Sequence, residues 1–391
     1  MTAIPLCWYW SLIYNNLLLS TEKRVSETVS AFFISPNGLS AHYFREFSKS
    51  AIKFSVLCTM FRTEIPIIPS PYKIGLESPL ISVGSCFADR MGSRLASAKF
   101  LSLTNPFGIL FNPLSICSIL EESIKQTPTD PSQVVENQGV YYHYNVHSEI
   151  FGQSKQELMG KIDLLKQETS EFLQIADWLI ITLGTAWIYE RKDTGQLVAN
   201  CHKIPQTVFN KRLLNLQEIE SGFESLLTSL RKVNPYAKIL LTVSPVRHTK
   251  ETFEGNSVSK ALLRVACENL KQRFPEVHYF PSYEIMMDDL RDYRFYEADM
   301  IHPSAVAEDY IWDKFVETFF EDSTIEFIQE WDKVRKSLLH KPFHPNSTNH
   351  KSFLEKTLEK LQTLHAIADM TPEIAFVQQQ LKNYKSSTEK T

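Results

Sequence analysis

Four short apolar segments, each separated from the next by an amphipathic stretch of helical length, constrain the fold of this chain most. They are nearly continuous in apolar residues, which is typical of parallel strands that are covered on both faces. The segments and their ends read LISVG, DWLIITLGT, AKILLTVSP and VHYFPSY. Strands that alternate with helices imply βαβ crossovers. We therefore predict an α/β fold, a doubly wound, flavodoxin-like parallel sheet flanked by helices.

Composition and periodicity divide the chain into three regions. Residues 1–59 show no sustained helical or strand period, and Met60 begins a stretch that resembles the start of a protein. A secretory signal would begin with basic residues and end in small ones, and this segment has neither. We predict that 1–59 is a non-native or disordered N-terminal extension, that 60–320 is the α/β domain, and that 321–391 is a helical extension without a core of its own.

Charge and cysteine usage exclude several classes of protein. The net charge of −4 over 391 residues lacks the basic excess of a nucleic-acid binder. Six cysteines without a C-x-x-C pair argue against a zinc site or a disulfide framework, so we predict free thiols in the cytoplasm. Asparagines interrupt the only long apolar run, which excludes a good membrane span. No glycine-rich phosphate loop is present, and we expect neither a cofactor nor a metal.

Small and polar residues follow the strands at the edge where such sheets bind ligands. Residues 84–86, Gly-Ser-Cys, follow the first strand, and Gly184 and Thr185 follow the second. Asp299 precedes His302 by three residues, just before a helix. A carboxylate at this spacing can hold one imidazole nitrogen while the other faces a nucleophile. Taken alone, the pair is better explained as a helix cap beside a surface histidine.

Several motifs together resemble the GSCFA family of the SGNH/GDSL hydrolase superfamily. They are GSCFA at 84–88, NPFGILFNP, TLGTAW, NCHK, TVSPVRH and DMIHPS. The resemblance covers the chain from about Phe61 to the C-terminus and supports Met60 as the start. It implies a sheet of the SGNH-hydrolase type and an esterase or acyltransferase. The implied partner is a small-molecule or carbohydrate ester.

The resemblance assigns catalytic roles residue by residue. Gapless alignment of the superfamily's Gly-Asp-Ser block on Gly84 places Ser85 at the aspartate and Cys86 at the nucleophilic serine. A one-residue bulge would reverse this order, so both remain candidates, with Cys86 preferred because a thiolate is the better nucleophile. The start of the following helix is expected to lower the pKa of the Cys86 thiol. His302 is implied as the base and Asp299 as its orienting partner.

The oxyanion hole that the resemblance implies is incomplete. The amide of Gly108 matches one donor, but the superfamily's Gly-x-Asn-Asp block falls on Gly184 and puts Ala186 at the asparagine. Losing one such donor costs ~10²–10³ in rate. Loop residues that could replace it are Asn105, Asn112 and His248. The expected pocket residues are Gly84, Gly108, Asn112, Gly184, Thr185, His202 and His248.

Three functions are compatible with these patterns. The chain is predicted to be a hydrolase or acyltransferase acting on an ester, with an acyl group on a carbohydrate as the substrate. The first alternative is a non-catalytic binding protein that keeps the fold and pocket. The second is a scaffold whose C-terminal helices bind a partner. Cys86 and His302 in one pocket would favour the enzyme. The sequence leaves the acyl group, the acceptor and the oligomeric state open.

Overall fold

The computed structural model describes residues 63–66 and 68–388. The predicted N-terminal extension over 1–59 lies outside these residues. Ten strands are present in the described part of the chain. They are β1 (Leu80–Gly84), β2 (Ser102–Thr104), β3 (Val134–Asn137), β4 (Val140–His143), β5 (Trp178–Leu183), β6 (Trp187–Arg191), β7 (Leu197–Val198), β8 (Phe209–Leu213), β9 (Lys238–Val243) and β10 (Val277–Tyr279).

The longer helices alternate with these strands and then end the chain. They are α1 (Cys86–Ser97), α2 (Pro113–Ile124), α3 (Lys155–Ile175), α4 (Leu216–Val233), α5 (Thr252–Arg273), α6 (Ala305–Phe319), α7 (Asp322–Leu339), α8 (Thr348–His365) and α9 (Thr371–Thr388). A short helical turn at Ser282–Glu284 continues into a π-helical turn at Ile285–Asp289.

The central sheet has five parallel strands in the order β10-β9-β5-β1-β2. Numbered along the chain, this is the flavodoxin-like order 2-1-3-4-5. The strand order reverses between β1 and β5, and in such sheets ligands bind beyond the carboxyl ends of the strands at that point. Gly84 ends β1, and Gly184 follows β5. The fold therefore brings the two glycine motifs together at its topological switch point.

Alternate residues of the buried strands contribute to two different hydrophobic cores. On β5, Leu179 and Ile181 pack with α2 to α5 on one face of the sheet. Trp178 and Ile180 pack on the other face with α1 and α6. A strand that is covered on both sides has no polar face, which explains the continuous apolar runs. The predicted doubly wound α/β fold is confirmed.

Two small antiparallel sheets interrupt the crossovers, and the sequence patterns did not predict them. One is the β3-β4 hairpin, and the other has the order β7-β6-β8. Strand β6 begins four residues after β5 ends. The three-stranded sheet thus starts at the carboxyl edge of the central sheet, and Trp187 and Tyr189 of β6 line a cavity there.

The C-terminal helices share a core with the α/β domain. Residues of α7, α8 and α9 belong to the same buried cluster as α1 and α6. Trp331 Nε1 donates a hydrogen bond of 2.7 Å to the carbonyl of Ser97, at the end of α1. Lys99 pairs with Glu373 over 2.6 Å. These contacts hold α1 from the end opposite to Cys86. The boundary at residue 320 stays a prediction.

Candidate active site

The turn between β1 and α1 is one that only glycine fits. Gly84 has a φ of +139°, and a Cβ there would lie 2.1 Å from the carbonyl oxygen of Thr182. Its N–H donates to Asn105 Oδ1 over 2.9 Å, and the N–H of Ser85 donates to Thr182 O over 3.0 Å. The backbone is therefore pinned to β5 on one side and to a loop on the other. This turn fixes where Ser85 and Cys86 lie.

Ser85 and Cys86 have different positions although they are adjacent. Ser85 is 0% exposed, and its Oγ accepts a hydrogen bond of 3.3 Å from the N–H of Phe87 as the N-cap of α1. Cys86 is partly exposed and lines two neighbouring cavities of about 620 and 440 Å³. Of the two candidate nucleophiles, Cys86 is the one that borders open space.

His302 and Asp299 form a tightly bonded pair. His302 Nδ1 lies 2.7 Å from Asp299 Oδ2. The other carboxylate oxygen accepts from the backbone N–H groups of Ile301 (2.9 Å) and His302 (3.0 Å). The hydrogen bonds from His302 and the two amides lower the pKa of Asp299 to about 2. The carboxylate therefore stays ionised at neutral pH and orients the ring so that Nε2 is left for another partner.

The thiol and the imidazole border the same space. His302 lines both of the cavities that Cys86 lines. Among the described residues no hydrogen bond joins Cys86 Sγ to His302, whose ring nitrogen Nδ1 bonds only Asp299. Catalytic hydrogen bonds are often long in unliganded sites and tighten when substrate binds. The structure thus places both groups at one cavity junction.

The electrostatic surroundings of Cys86 act in opposite directions. Burial raises the pKa of its thiol, whereas the N–H groups of Phe87 and Cys86 and the charges of Lys260 and Arg90 lower it. Taken together, these effects raise the pKa of the Cys86 thiol above its ordinary value. The expectation of a lowered thiol pKa at the start of α1 is therefore wrong, because desolvation outweighs the helix-terminal amides. A buried thiol of this kind needs a base to ionise it.

Lys260 is a buried cation beneath the site that the sequence reasoning missed. It is 1% exposed, and its Nζ donates two hydrogen bonds of 2.7 Å, to the carbonyls of Gly184 and Ser244. Burial lowers its pKa to about 7, while the charge on Cys86 raises it. Lys260 precedes buried Leu263 and Cys267 at helical spacing on α5. The position of this lysine on the apolar face of a predicted helix could have indicated that it is buried.

Two of the expected oxyanion donors are used for other purposes. The N–H of Gly108 donates to the carbonyl of Asn105 over 2.8 Å, and Gly108 lines neither of the two cavities beside Cys86. Asn112 lines the larger cavity and caps α2, with Oδ1 accepting from Ser115 N and Nδ2 donating to Ser115 Oγ. The Gly108 amide is therefore not free to bind an oxyanion, and one of the two hydrogens on Asn112 Nδ2 is already used.

Two of the candidate replacements keep an unbonded polar atom. Asn105 Nδ2 and His248 Nε2 are both buried without a hydrogen-bond partner among the described residues. Of these two residues, His248 lines the larger cavity and Asn105 does not. The Nε2 atom of His248 is close to Gly184, at 3.1 Å from the position of a Cβ built on that glycine. Burial and the charge of Lys260 lower the pKa of His248 to about 3. A neutral imidazole thus stands beside the switch point.

The remaining predicted pocket residues have structural partners. The amides of Gly184 and Thr185 both donate to the carbonyl of Phe111, over 2.8 and 3.0 Å. His202 lines the larger cavity, but its nitrogens contact Ser148 Oγ (2.9 Å) and a backbone carbonyl. Burial lowers the pKa of His202 to about 4. Thr185 and His202 thus line the wall of the larger cavity, whereas Gly184 lines neither cavity.

Two features are absent from the described residues, a metal-binding cluster and a membrane-spanning helix. No cluster of three or more histidine, cysteine and acidic side chains is placed to hold a metal ion in residues 63–66 and 68–388. Over the same residues, no helix has the length and apolar character needed to cross a membrane.

Some solved structures are similar to this chain at low identity. A carbohydrate esterase family 3 protein from Talaromyces cellulolyticus is 13% identical with a TM-score of 0.23, and the match covers 40% of this chain and 60% of that protein. A carbohydrate esterase family 2 enzyme with a carbohydrate-binding domain from Corynascus thermopiles (Myceliophthora fergusii) is 10% identical, with a TM-score of 0.32 and coverages of 68% and 69%. An acetyl xylan esterase from Butyrivibrio proteoclasticus is 13% identical, with a TM-score of 0.29 and coverages of 65% and 64%.

The sequence also matches known protein families. No curated protein matches this chain. Residues 331–383 match the C-terminal domain of GSCFA domain proteins. Residues 79–315 match the GSCFA family itself, from the start of β1 to the middle of α6. The motifs quoted from the sequence lie inside this range, which exceeds half of the chain, and the protein therefore belongs to the GSCFA family.

Proposed function

We propose that this protein is an SGNH-type hydrolase or acyltransferase that acts on an ester through a Cys86–His302–Asp299 triad. The observation that carries the proposal is the shared position of Cys86 and His302 at the junction of two cavities, with Asp299 Oδ2 2.7 Å from His302 Nδ1. Nucleophile, base and orienting carboxylate are the three parts that such catalysis needs.

The first half of the reaction uses His302 as a base. Its Nε2 takes the proton of the Cys86 thiol, and the sulfur attacks the carbonyl carbon of the ester. The raised pKa of the thiol makes this step necessary, since little thiolate forms alone. The Asp299 carboxylate stabilises the imidazolium that results. The tetrahedral intermediate then expels the alcohol, which receives the proton from His302, and an acyl thioester remains on Cys86.

The second half regenerates the thiol. Water, or the hydroxyl of an acceptor, gives its proton to His302 and attacks the thioester carbonyl. The thiolate leaves and is reprotonated by His302. Hydrolysis and acyl transfer differ only in this acceptor, and a thioester suits both.

The proposed oxyanion donors are the N–H of Cys86 and the imidazole of His248. The Cys86 N–H lies at the start of α1 and lowers the pKa of the Cys86 thiol. His248 is kept neutral by burial, so one ring nitrogen can carry a hydrogen and donate it. This imidazole takes the place of the asparagine that Ala186 replaces.

We further propose a carbohydrate as the part of the substrate that carries the acyl group. The superfamily resemblance suggests it, and the larger cavity is wide enough for a sugar, with Trp187 and Tyr189 in its wall. We propose the cytoplasm as the location, in agreement with the four described cysteines, all of which are free.

Hydrolysis of 4-nitrophenyl acetate by purified variants tests the proposal. We expect Cys86→Ala to abolish turnover and Cys86→Ser to keep a residue of it, because the hydroxyl still has His302 as its base. Ser85→Ala removes the cap of α1 and is expected to cost about 0.5–2 kcal/mol of stability while turnover persists. Activity in Cys86→Ala together with its loss in folded Ser85→Ala would make Ser85 the nucleophile.

A non-catalytic binding protein is the alternative. It predicts no turnover by the wild-type chain of 4-nitrophenyl acetate, butyrate or acetylated sugars. It also predicts that Cys86 forms no acyl adduct that intact-mass spectrometry detects after mixing with these esters.

A further inference from the structure

The two cavities that meet at Cys86 and His302 have opposite charge. Among the described residues, the larger one is lined by the cations Lys203, Arg247 and Lys250 and by one acidic residue, Glu251. Glu251 forms an ion pair with Lys211 of β8, so its charge is already compensated. The larger cavity therefore has a net positive lining, in a chain whose overall charge is −4.

The smaller cavity has the reverse balance. In the part of the chain that the structure describes, its acidic residues are Glu297, Asp299 and Glu308, and Arg90 is its one fixed cation. Arg90 Nε lies 3.6 Å from Glu308 Oε1 and compensates that carboxylate. Asp299 remains ionised beside His302. An anion beside Cys86 is thus repelled from the smaller cavity and attracted to the larger one.

The positive groups of the larger cavity are not neutralised by its other side chains. Lys203 and Lys250 are exposed, and within the described residues neither forms an ion pair with a carboxylate. Arg247 is held in place, with its guanidinium 4.0 Å from the ring centroid of Tyr296 and a hydrogen bond to the carbonyl of Met300. No carboxylate of the described residues pairs with its donors.

Two of the three histidines that line the larger cavity leave this balance unchanged, and the third, His302, lines both cavities alike. Burial keeps both His202 and His248 neutral at pH 7, since it lowers their pKa to about 4 and about 3. The field in this cavity at neutral pH is therefore set by the two lysines and the arginine. Charges of one sign that line a cleft with low-dielectric walls concentrate ligands of the opposite sign.

From this asymmetry we infer that the substrate of the proposed reaction carries an anionic group, a carboxylate or a phosphate, which binds in the larger cavity between Lys203, Arg247 and Lys250. The inference rests on the proposed function, because it takes Cys86 as the point of attack. It orients the substrate: the ester lies at Cys86, the anion lies toward β6 and β7, and an uncharged or cationic part lies toward Glu297 and Glu308.

Alkylation of Cys86 measures the charge preference without any ester. The thiolate displaces iodide from both iodoacetate and iodoacetamide, and the two reagents differ mainly in charge. Both rates are proportional to the ionised fraction of the thiol, so the ratio of the iodoacetate rate to the iodoacetamide rate does not depend on that fraction. We expect this ratio to exceed that of N-acetylcysteine about five- to tenfold at low salt. Peptide mass spectrometry assigns the product to Cys86 and separates it from Cys201, which lines the same cavity.

Matched variants connect the ratio to the lining residues. Lys203→Asn removes one positive charge and suits the φ of 61° at that position, because asparagine tolerates a positive φ. Lys250→Met removes the second charge and keeps an unbranched side chain. Each is expected to lower the ratio about two- to threefold, and the double variant to bring it near the value for N-acetylcysteine. Sodium chloride at 0.5 M acts in the same direction through screening. Lys161→Met, on the exposed face of α3, leaves the ratio unchanged.

Two ester and anion experiments complete the test. We expect kcat/KM for 4-nitrophenyl hydrogen succinate to exceed that for 4-nitrophenyl acetate, with the difference lost in the double variant. Protection of Cys86 from iodoacetamide by succinate, or by inorganic phosphate at equal ionic strength, identifies the carboxylate or the phosphate as the preferred anion. An alkylation ratio equal to that of N-acetylcysteine, or unchanged in the double variant, would overturn the inference. Absence of ester turnover with a high, lysine-dependent ratio would overturn only the proposed function.

Discussion

The ammonium group of Lys260 donates a hydrogen bond of 2.7 Å to the carbonyl of Gly184 from a position that is 1% exposed. A second bond of 2.7 Å reaches Ser244, so one side chain joins the ends of β5 and β9. The same charge lowers the pKa of the Cys86 thiol. A buried lysine thus links the strand ends to the electrostatics of the Cys86 thiol.

Replacing Lys260 by methionine is expected to raise the pKa of the Cys86 thiol further. The rate of alkylation by iodoacetamide at pH 7 then falls about two- to fivefold, because less thiolate is present at a given pH. The full pH–rate profile of alkylation, followed by mass spectrometry at Cys86, gives the direction of the shift.

Lys166→Met is the matched control for Lys260→Met. Lys166 is also buried, and it bonds the carbonyl of Thr127 and the carboxylate of Glu122. Its loss is expected to destabilise the fold without moving the alkylation profile of Cys86. Equal shifts in both variants would mean that Lys260 acts on Cys86 only through general loosening of the structure.

Asp299→Asn is expected to lower kcat/KM by about 10²–10⁴ while KM changes little. The new amide keeps an oxygen for the N–H groups of Ile301 and His302, so the loop stays folded. Its NH₂ faces His302 Nδ1 and makes that nitrogen an acceptor, which leaves a hydrogen on Nε2 and prevents it from taking the thiol proton. Steady-state kinetics with 4-nitrophenyl acetate check this, with Asp292→Asn as an exposed control. Full activity in Asp299→Asn would remove the carboxylate from the mechanism.

Gly84→Ala is expected to cost about 3 kcal/mol or more of folding free energy. The added Cβ would lie 2.1 Å from Thr182 O, on a backbone whose φ is +139°. Gly160→Ala is the opposite case, since nothing lies within 4 Å of its Cβ position in the second turn of α3, and it is expected to stabilise by about 0.5–1 kcal/mol. Urea unfolding of the two variants compares them directly, and a tolerated Gly84→Ala would mean that the turn relaxes.

Acidification is expected to destabilise the protein through His202. Burial lowers its pKa to about 4 in the folded chain, below the unfolded value of about 6.5. The unfolded state therefore binds the proton first, and the contribution of His202 is complete above pH 6.5 and is lost as the pH falls toward 4. Between pH 7 and 4.5 the loss amounts to about 2–3 kcal/mol.

Replacement by asparagine, which tolerates the φ of 48° at this position, isolates that contribution. Urea unfolding at pH 7 and pH 4.5 is expected to show a smaller drop in His202→Asn than in the wild type. His344→Asn, in an exposed loop, keeps the wild-type drop. The same drop in all three proteins would assign the acid sensitivity to other groups.

The central sheet was predictable because its strands are buried on both faces. Such strands need apolar residues at every position, as in β5, and this pattern can be read without knowing the partners. The strands β3, β4 and β6 to β8 are short and half-exposed, with polar and aromatic residues mixed. Their pairing depends on loops returning from distant parts of the chain, which local periodicity does not reveal.

The sequence motifs identified the residues of the candidate site, but not their burial or their hydrogen-bond partners. The spacing of Asp299 and His302 anticipated their hydrogen bond. Which of Ser85 and Cys86 faces the cavities depends on which side chain the turn buries. A lysine is ordinarily solvated, so the burial of Lys260 becomes evident only when its helix is packed against the sheet. The Gly108 amide failed as a free donor because the turn at Asn105 uses it.

The contact between Trp331 and Ser97 has a consequence for the order of events during synthesis. The two residues are separated by 234 positions. At about 5–20 residues per second, Trp331 is made roughly 10–50 s after Ser97. Throughout that interval the far end of the helix that begins at Cys86 lacks its cover. The helix that carries Cys86 is therefore fully covered only late in translation, when the C-terminal helices arrive.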